Sequence, residues 1–299
     1  MTFAAVFPPM ATPFAADGTV ETSAIAANVD KWMRAGTGGV VALGSNGEAP
    51  LLDDEEADRV IAAAREAVPR DRLLVVGTGR ESTPATIAAS RRAAALGADA
   101  VLVRTPSYYK GRMTNEALAR HYSMVADASP APVLLYNYPA VSGINLAPAL
   151  VALLSQHPNI AGMKETGSDA AQVGAFVDVA APSFSVIAGS APPFYPALCM
   201  GAVGGILAVA CVVPEMCVQL FQHFRAGRHA EARELQRRIT PLARMVTTEF
   251  GVPGLKAAMT LAGFHGGMPR LPLTPAATDA LDQIRAALTA LLAPAEVVR

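Results

Sequence analysis

Lysine is rare in this 299-residue chain, and one of its four lysines ends a run of residues typical of a buried β-strand. Lys164 follows the apolar segment 160–163, where an ammonium group is costly to bury. Desolvation lowers the pKa of such a lysine, and the neutral amine can then attack a ketone to form an imine. The position would equally suit a lysine that snorkels to water or pairs with a carboxylate. We expect the other lysines to be ordinary, Lys31 and Lys256 on helices and Lys110 in a loop.

Two further groups that could assist an imine follow other apolar runs. Tyr136 lies near the end of the run 133–137, where a phenol can move protons if a relay helps it, although an aromatic plug is an equally simple explanation. Ser45 and Asn46 occupy a glycine-flanked turn after the run 39–43. Successive N–H groups in such a turn can bind a carboxylate, but the same composition also makes ordinary turns.

Three more residues occupy comparable positions. Tyr109 follows the run 100–104, where packing at an interface would explain it. Thr166 and Gly189 follow the sixth and seventh apolar runs, and we expect them to contact substrate together with Ser45 and Asn46. The five histidines lie away from these positions without ligand spacing, so we assign no metal site.

The elements that must position these residues alternate along the chain. Short apolar runs predict eight strands, at 4–7, 39–43, 73–77, 100–104, 133–137, 160–164, 184–188 and 204–209. Alanine-rich helical segments separate them, which predicts a (β/α)8 TIM barrel of the α/β class, with active groups at the carboxyl ends of the strands. A doubly wound sheet is the alternative, although no GxGxxG follows the first strand. We expect a barrel domain over residues 1–226 and a C-terminal helical region over residues 227–299 packed on it.

Composition excludes several classes of protein. Hydrophobic residues make up 52% of the chain, which is too apolar for disorder, and a formal net charge of -1 predicts no binding to nucleic acid or to a membrane surface. The uncharged stretch 179–214 is long enough for a membrane span, but prolines and glycines interrupt it. Three cysteines form no metal-binding pair, and the N-terminal segment lacks the basic residues of a secretory signal, so we expect a cytoplasmic protein.

The strand-end residues together resemble a known family, the dihydrodipicolinate synthase / N-acetylneuraminate lyase superfamily of class I Schiff-base aldolases. The resemblance is carried by Gly44-Ser45-Asn46-Gly47-Glu48, Tyr108-Tyr109, Tyr136-Asn137-Tyr138-Pro139 and Gly162-Met163-Lys164-Glu165. It implies that Lys164 forms an imine with pyruvate, that no cofactor is needed, and that Tyr136 is the acid and base. It further implies a hydroxyl relay through Ser45 to Tyr109 of a neighbouring subunit in a dimer or tetramer, with Asn46 holding the pyruvate carboxylate.

Within that superfamily the closer resemblance is to 4-hydroxy-2-oxoglutarate aldolases. The lysine-pathway synthases carry an arginine for a second carboxylate where this chain has Val141, and the positions that bind feedback lysine in some of them hold Glu81 and Ala85 here. We therefore expect cleavage of a 4-hydroxy-2-oxo acid to pyruvate and a small aldehyde, with glyoxylate favoured. A synthase condensing pyruvate with aspartate semialdehyde is the first alternative, and a non-catalytic 2-oxo acid binding protein is the second.

Overall fold

A computed structural model describes residues 2–293 of the chain, and its centre is a barrel of eight parallel strands. Each strand pairs with the next along the chain, and the edges of the sheet meet where Gly38 and Val41 donate backbone hydrogen bonds to Val6 and Pro8 at 2.9 and 3.0 Å. The strands are β1 Val6–Phe7, β2 Gly39–Ala42, β3 Leu73–Gly77, β4 Ala100–Arg104, β5 Val133–Asn137, β6 Ile160–Glu165, β7 Ser185–Ala188 and β8 Gly205–Ile206. The predicted (β/α)8 barrel is confirmed.

Helices cover the outside of the barrel and continue beyond it. Within the described residues they are α1 Thr22–Arg34, α2 Asp54–Ala67, α3 Thr83–Ala95, α4 Asn115–Ala128, α5 Pro139–Ser142, α6 Pro148–Leu154, α7 Ala170–Val179, α8 Phe194–Cys199, α9 Pro214–Arg225, α10 His229–Arg244, α11 Gly251–Leu261 and α12 Thr278–Leu292. No helix between residues 2 and 293 is both long enough and apolar enough to cross a membrane.

Two hydrophobic layers explain why the strands read as continuous apolar runs. One layer fills the barrel interior with residues such as Val75, Leu134 and Ile187, and it includes no helix residue. The other lies between the strands and the surrounding helices. Because both faces of each strand are covered, alternation of polar and apolar residues is absent from the sequence.

Two element ends differ from the sequence prediction. The eighth strand ends early because residues 208–211 turn into a 3₁₀ helix. The sequence after the barrel also predicts one helix over 230–248, whereas α10 stops at Arg244 and the chain continues as a π-helical turn, Met245–Glu249. Thr247 and Thr248 donate their hydroxyls to the carbonyls of Ala243 and Arg244, which competes with regular helical hydrogen bonding.

The C-terminal helices pack directly on the barrel helices. Gln236 of α10 accepts a hydrogen bond from the backbone N–H of Tyr195 at 2.7 Å and donates to the carbonyl of Ala191 at 2.9 Å. The C-terminal helical region is therefore present, whereas a domain boundary at residue 226 stays a prediction. Met1 and residues 294–299, which the predicted domains include, lie outside the described part of the chain.

Lys256 corrects the expectation that only Lys164 is unusual. Its side chain on α11 is only 2% exposed, and its Nζ lies 2.5 Å from Oε1 of Glu48, in the loop after β2. Nζ also donates to the carbonyl of Met268 at 2.6 Å and lies 4.4 Å from the ring centroid of Phe14. The periodicity of α11 shows a helix but not the partner, which is more than two hundred residues away in sequence.

We predict that Lys256→Met lowers the free energy of unfolding by ~3–5 kcal/mol, because it leaves the Glu48 carboxylate buried without its cation. The double variant Lys256→Met/Glu48→Gln removes both charges and should lose clearly less. Urea unfolding followed by circular dichroism measures both, with Lys110→Met, an exposed lysine, as the control. A double variant at least as destabilised as the single one would show that the pair contributes nothing through charge.

Candidate active site

Four residues from neighbouring strands form one layer at the carboxyl end of the barrel. Arg104 on β4 is in register with Tyr136 on β5, which is in register with Lys164 on β6 and then Ile187 on β7. Residues in register on parallel strands point to the same face of the sheet. Tyr136 and Ile187 belong to the interior hydrophobic layer, so all four side chains point into the mouth of the barrel.

The amine of Lys164 is buried without a carboxylate partner. The side chain is 4% exposed, and Nζ donates a hydrogen bond to the Tyr136 hydroxyl at 3.3 Å and lies 4.4 Å from the centroid of that ring. No ion pair joins Lys164 to a carboxylate within residues 2–293. The burial of the side chain excludes a snorkelling lysine, and the missing carboxylate partner excludes an ion-paired one. Burial also lowers the pKa of Lys164 to about 7.

The adjacent carboxylate, Glu165, points to the other side of the strand. It accepts hydrogen bonds from Asn137 at 2.6 Å, from the backbone N–H of Gly167 at 2.7 Å and from Gln172 at 2.9 Å. Burial raises the pKa of Glu165 despite these donors. The alternation of side chains along a strand thus keeps this anion away from the Lys164 amine.

Tyr136 links the lysine to a second hydroxyl. Its phenol oxygen lies 3.3 Å from Oγ of Ser45 as well as 3.3 Å from Nζ of Lys164. Burial raises the pKa of Tyr136 to about 12, so the group is a neutral phenol at physiological pH. The lysine, the phenol and the serine therefore form a continuous chain of groups that can carry protons.

The turn that holds Ser45 and Asn46 has free backbone donors. In the described part of the chain, neither the N–H of Ser45 nor that of Asn46 donates a hydrogen bond to another residue. The turn is bounded by Leu43 and Glu48, both at positive φ, 55° and 54°, which is uncommon for residues other than glycine. Two free N–H groups beside the Ser45 hydroxyl suit a carboxylate.

Glu48 fixes this turn to the C-terminal region. Its Oε2 accepts the backbone N–H of Arg270 at 2.8 Å, while its Oε1 contacts Lys256. Arg270 also pairs with Glu56, the residue that closes the capping box of α2 with Asp53. The interactions of Glu48 with Lys256 and Arg270 hold the C-terminal end of the turn and its unusual backbone conformation in place.

Thr166 and Gly189 meet beside the lysine. The Thr166 hydroxyl is buried and has no hydrogen-bond partner within residues 2–293. A Cβ atom on Gly189 would lie 2.1 Å from this hydroxyl and 2.9 Å from Cε of Lys164. Glycine is therefore required at this position, and the Thr166 hydroxyl is free to bind a ligand.

Tyr109 is not brought to the other site residues within one chain. Its side chain is 70% exposed and packs edge-on against Tyr108, with the ring centroids 5.0 Å apart. The loop that carries it is anchored by Glu81, whose Oε2 accepts the backbone N–H groups of Ser107 and Tyr108 at 2.9 Å. Two adjacent exposed tyrosines on a fixed loop are the kind of surface that a second subunit covers.

A cavity of about 690 Å³ opens above the layer and reaches Ser45 and Tyr136. Its wall is largely apolar and includes Val141, Pro272 and Leu273. Its charged lining residues are Arg80, Arg104, Glu81 and Glu48, and the sequence reasoning assigned none of them to the site. Arg104 was detectable in principle, because it ends the predicted fourth strand at the same level as the other strand-end residues.

The arrangement as a whole can perform imine chemistry. An amine, a phenol and a hydroxyl lie in sequence, free N–H donors stand nearby, and a largely apolar cavity opens beside them. No three His, Cys, Asp or Glu side chains gather as a metal-binding group within the described residues.

Comparison with known proteins matches nearly the whole chain to one family. The model of the Dihydrodipicolinate synthetase family matches residues 2–291. A 4-hydroxy-tetrahydrodipicolinate synthase from Methanothrix thermoacetophila is 35% identical over 96% of this chain and 96% of its own length. A probable mitochondrial 4-hydroxy-2-oxoglutarate aldolase from Emericella nidulans is 36% identical over 92% of this chain and 91% of its own length.

Solved structures agree with the sequence relatives. YagE, a prophage protein of the dihydrodipicolinic acid synthase family from E. coli K12 determined in complex with pyruvate, is 31% identical with a TM-score of 0.92, over 97% of this chain and 99% of its own. A dihydrodipicolinate synthase from Bacillus anthracis has a TM-score of 0.93 at 26% identity, over 98% of this chain and 99% of its own. The chain therefore belongs to the dihydrodipicolinate synthetase family, whose members are lyases.

Proposed function

We propose that the protein is a Schiff-base aldolase that cleaves a 4-hydroxy-2-oxo acid, with 4-hydroxy-2-oxoglutarate as the favoured substrate, to pyruvate and an aldehyde. The buried Lys164 amine, free of any carboxylate, is the observation that carries the proposal. The Emericella relative named as an aldolase for this substrate supports the choice.

In the first step the neutral Lys164 amine attacks the C2 carbonyl, and loss of water gives a protonated imine. The C3–C4 bond then breaks, and its electron pair moves into the imine to form an enamine. The 4-hydroxyl loses its proton and becomes the aldehyde. Protonation of the enamine at C3 and addition of water release pyruvate and regenerate the amine, so the reaction needs no cofactor.

Tyr136 moves the protons in this scheme. Its phenol passes a proton towards Ser45 as it takes the proton of the substrate hydroxyl, and the transfer reverses when C3 is protonated. A phenol whose pKa is raised to about 12 does not act alone near neutral pH, which is why Ser45 at 3.3 Å matters. Tyr109 of a neighbouring subunit would extend the relay in a dimer or tetramer, consistent with its exposure in one chain.

The substrate carboxylate next to C2 is held by the turn after β2. The N–H groups of Ser45 and Asn46 supply the donors, and the Thr166 hydroxyl supplies another close to the imine. Gly189 leaves the space that the bound carboxylate and the Lys164 stem require. We place the enzyme in the cytoplasm, as the sequence predicts.

A synthase reaction, condensation of pyruvate with aspartate semialdehyde, is the second candidate, and the Methanothrix relative named as such a synthase favours it. Both reactions share the lysine imine and differ only in the aldehyde. Val141, in the cavity wall, stands where the resemblance places the carboxylate-binding arginine of such synthases, so this chain lacks that ligand. A protein that binds pyruvate without turnover is the third candidate, and the complete proton relay gives it no support.

We predict that borohydride added with pyruvate reduces an imine to a stable adduct on Lys164, detected by mass spectrometry and peptide mapping. Lys164→Ala should form none, whereas Lys31→Met, on the outer helix α1, should react like the parent protein. An adduct of undiminished amount in Lys164→Ala would refute the mechanism. Pyruvate release from 4-hydroxy-2-oxoglutarate faster than turnover of aspartate semialdehyde then separates the aldolase from the synthase.

We predict that imine formation with pyruvate rises through pH 7 and levels off above it. The neutral amine is the nucleophile, and the pKa of Lys164 is lowered to about 7 by burial, so the reactive form is lost as pH falls below that value. Rapid-mixing measurements of imine formation from pH 5 to 10 provide the test. A rate that keeps rising up to pH 10 would show that Lys164 titrates like an exposed lysine.

A further inference from the structure

Arg104, Tyr136 and Lys164 are the polar residues of the layer at the carboxyl end of the barrel. Of these three, only Arg104 has no role in the proposed imine chemistry. It ends β4 in register with Tyr136, and its side chain points into the mouth of the barrel. The aliphatic part of the Arg104 side chain packs on Gly79, where an added Cβ atom would lie 2.6 Å from the Arg104 Cγ. Arg104 lines the same cavity as Ser45 and Tyr136.

The hydrogen bonds of Arg104 leave one edge of its guanidinium open. Nη1 donates to Oε1 of Glu81 at 2.7 Å and to the carbonyl of Thr105 at 3.4 Å. Within residues 2–293, Nε and Nη2 donate to no protein acceptor, and the side chain is 34% exposed. The Nε–Nη2 edge presents two parallel donors, the geometry that binds a carboxylate through both of its oxygens.

Glu81 neutralises the positive charge of Arg104 only in part. Its Oε2 already accepts two backbone N–H groups, from Ser107 and Tyr108, so its negative charge is shared among three donors. Glu81 holds Arg104 by one nitrogen only and thereby fixes the direction in which the open edge points.

The second arginine in the cavity wall is less suited to binding a ligand. Nη2 of Arg80 lies 3.6 Å from Asp54, and its Nη1 donates to the Gly79 carbonyl at 3.4 Å. Arg80 follows β3 in a loop, whereas Arg104 is part of a strand. The remaining wall near Val141 and Leu273 is apolar, which strengthens the attraction between a guanidinium and an anion.

We propose that Arg104 binds a second carboxylate of the substrate, carried by the aldehyde half, and so selects 4-hydroxy-2-oxo diacids over analogues with an uncharged end. This proposal rests on the proposed function, because it concerns the substrate of the same lysine. It assigns the anion-binding role to the end of β4, not to the position of Val141 on the short helix α5. Glyoxylate is the smallest aldehyde that would satisfy such a site.

The test compares two substrates that differ only at the distal end. 4-Hydroxy-2-oxoglutarate carries a carboxylate there, and 4-hydroxy-2-oxopentanoate carries a methyl group. In Arg104→Met, kcat/KM for the diacid should fall by about 10- to 100-fold, the usual effect of losing a charge-assisted bidentate contact. For the methyl analogue it should change by no more than about threefold, and Arg104→Lys should give an intermediate loss for the diacid.

The controls separate binding from structural effects. Arg80→Met removes the other cavity arginine and should leave the ratio of the two kcat/KM values unchanged. Borohydride trapping of pyruvate in Arg104→Met reports whether the variant folds and forms the imine. An adduct there, together with the expected change in ratio, supports the proposal.

Three outcomes would overturn it. Equal losses for both substrates in Arg104→Met would mean that Arg104 acts only through Glu81 and the Tyr108 loop. A change of ratio in Arg80→Met without one in Arg104→Met would assign the role to Arg80. A parent protein that prefers the methyl analogue would refute the proposal while the lysine adduct leaves the proposed function intact; absence of that adduct in the parent refutes the proposed function itself.

Discussion

Desolvation of a single amine is the constraint on which the site depends. In the proposed mechanism Lys164 has to be deprotonated near neutral pH, which requires burial away from water and from anions. The parallel barrel meets both needs, because strands covered on two faces bury the residue at their end and side-chain alternation turns Glu165 away from it. If one face of the strands were exposed to solvent, the ammonium form of Lys164 would be stable and the amine unreactive.

The second constraint is the backbone of the turn after β2. Two residues at positive φ expose the N–H groups of Ser45 and Asn46, a conformation that the turn does not prefer on its own. Glu48 stabilises it through Lys256 on α11 and the backbone of Arg270. The C-terminal helices are thus part of the active-site architecture, since a cation on α11 compensates the buried carboxylate that holds the turn.

The sequence could predict those features of the fold and the site that depend on local interactions. Apolar runs and their boundaries predicted the eight strands, and position at a strand end identified Lys164, Tyr136 and Ser45 as neighbours. The burial of Lys256 could not be predicted, because its partner Glu48 is distant in the sequence and helix periodicity does not name it. Arg104 was missed although it ends a predicted strand, because its open guanidinium edge is visible only in the folded cavity. Contacts within the described chain do not explain the exposed Tyr109.

The two candidate reactions share the lysine imine and differ only in the aldehyde. This explains why relatives named for either reaction resemble the chain equally. The synthase and the aldolase are 35% and 36% identical to it, and both reactions begin with a lysine imine. In the proposed assignment, the choice of aldehyde requires only a cation within the same layer as Tyr136 and Lys164. A guanidinium at residue 104 is carried by strand β4 directly beside Tyr136, whereas residue 141 is on the short helix α5. A carboxylate bound there would sit close to the bond that breaks, which favours a short aldehyde over a longer one.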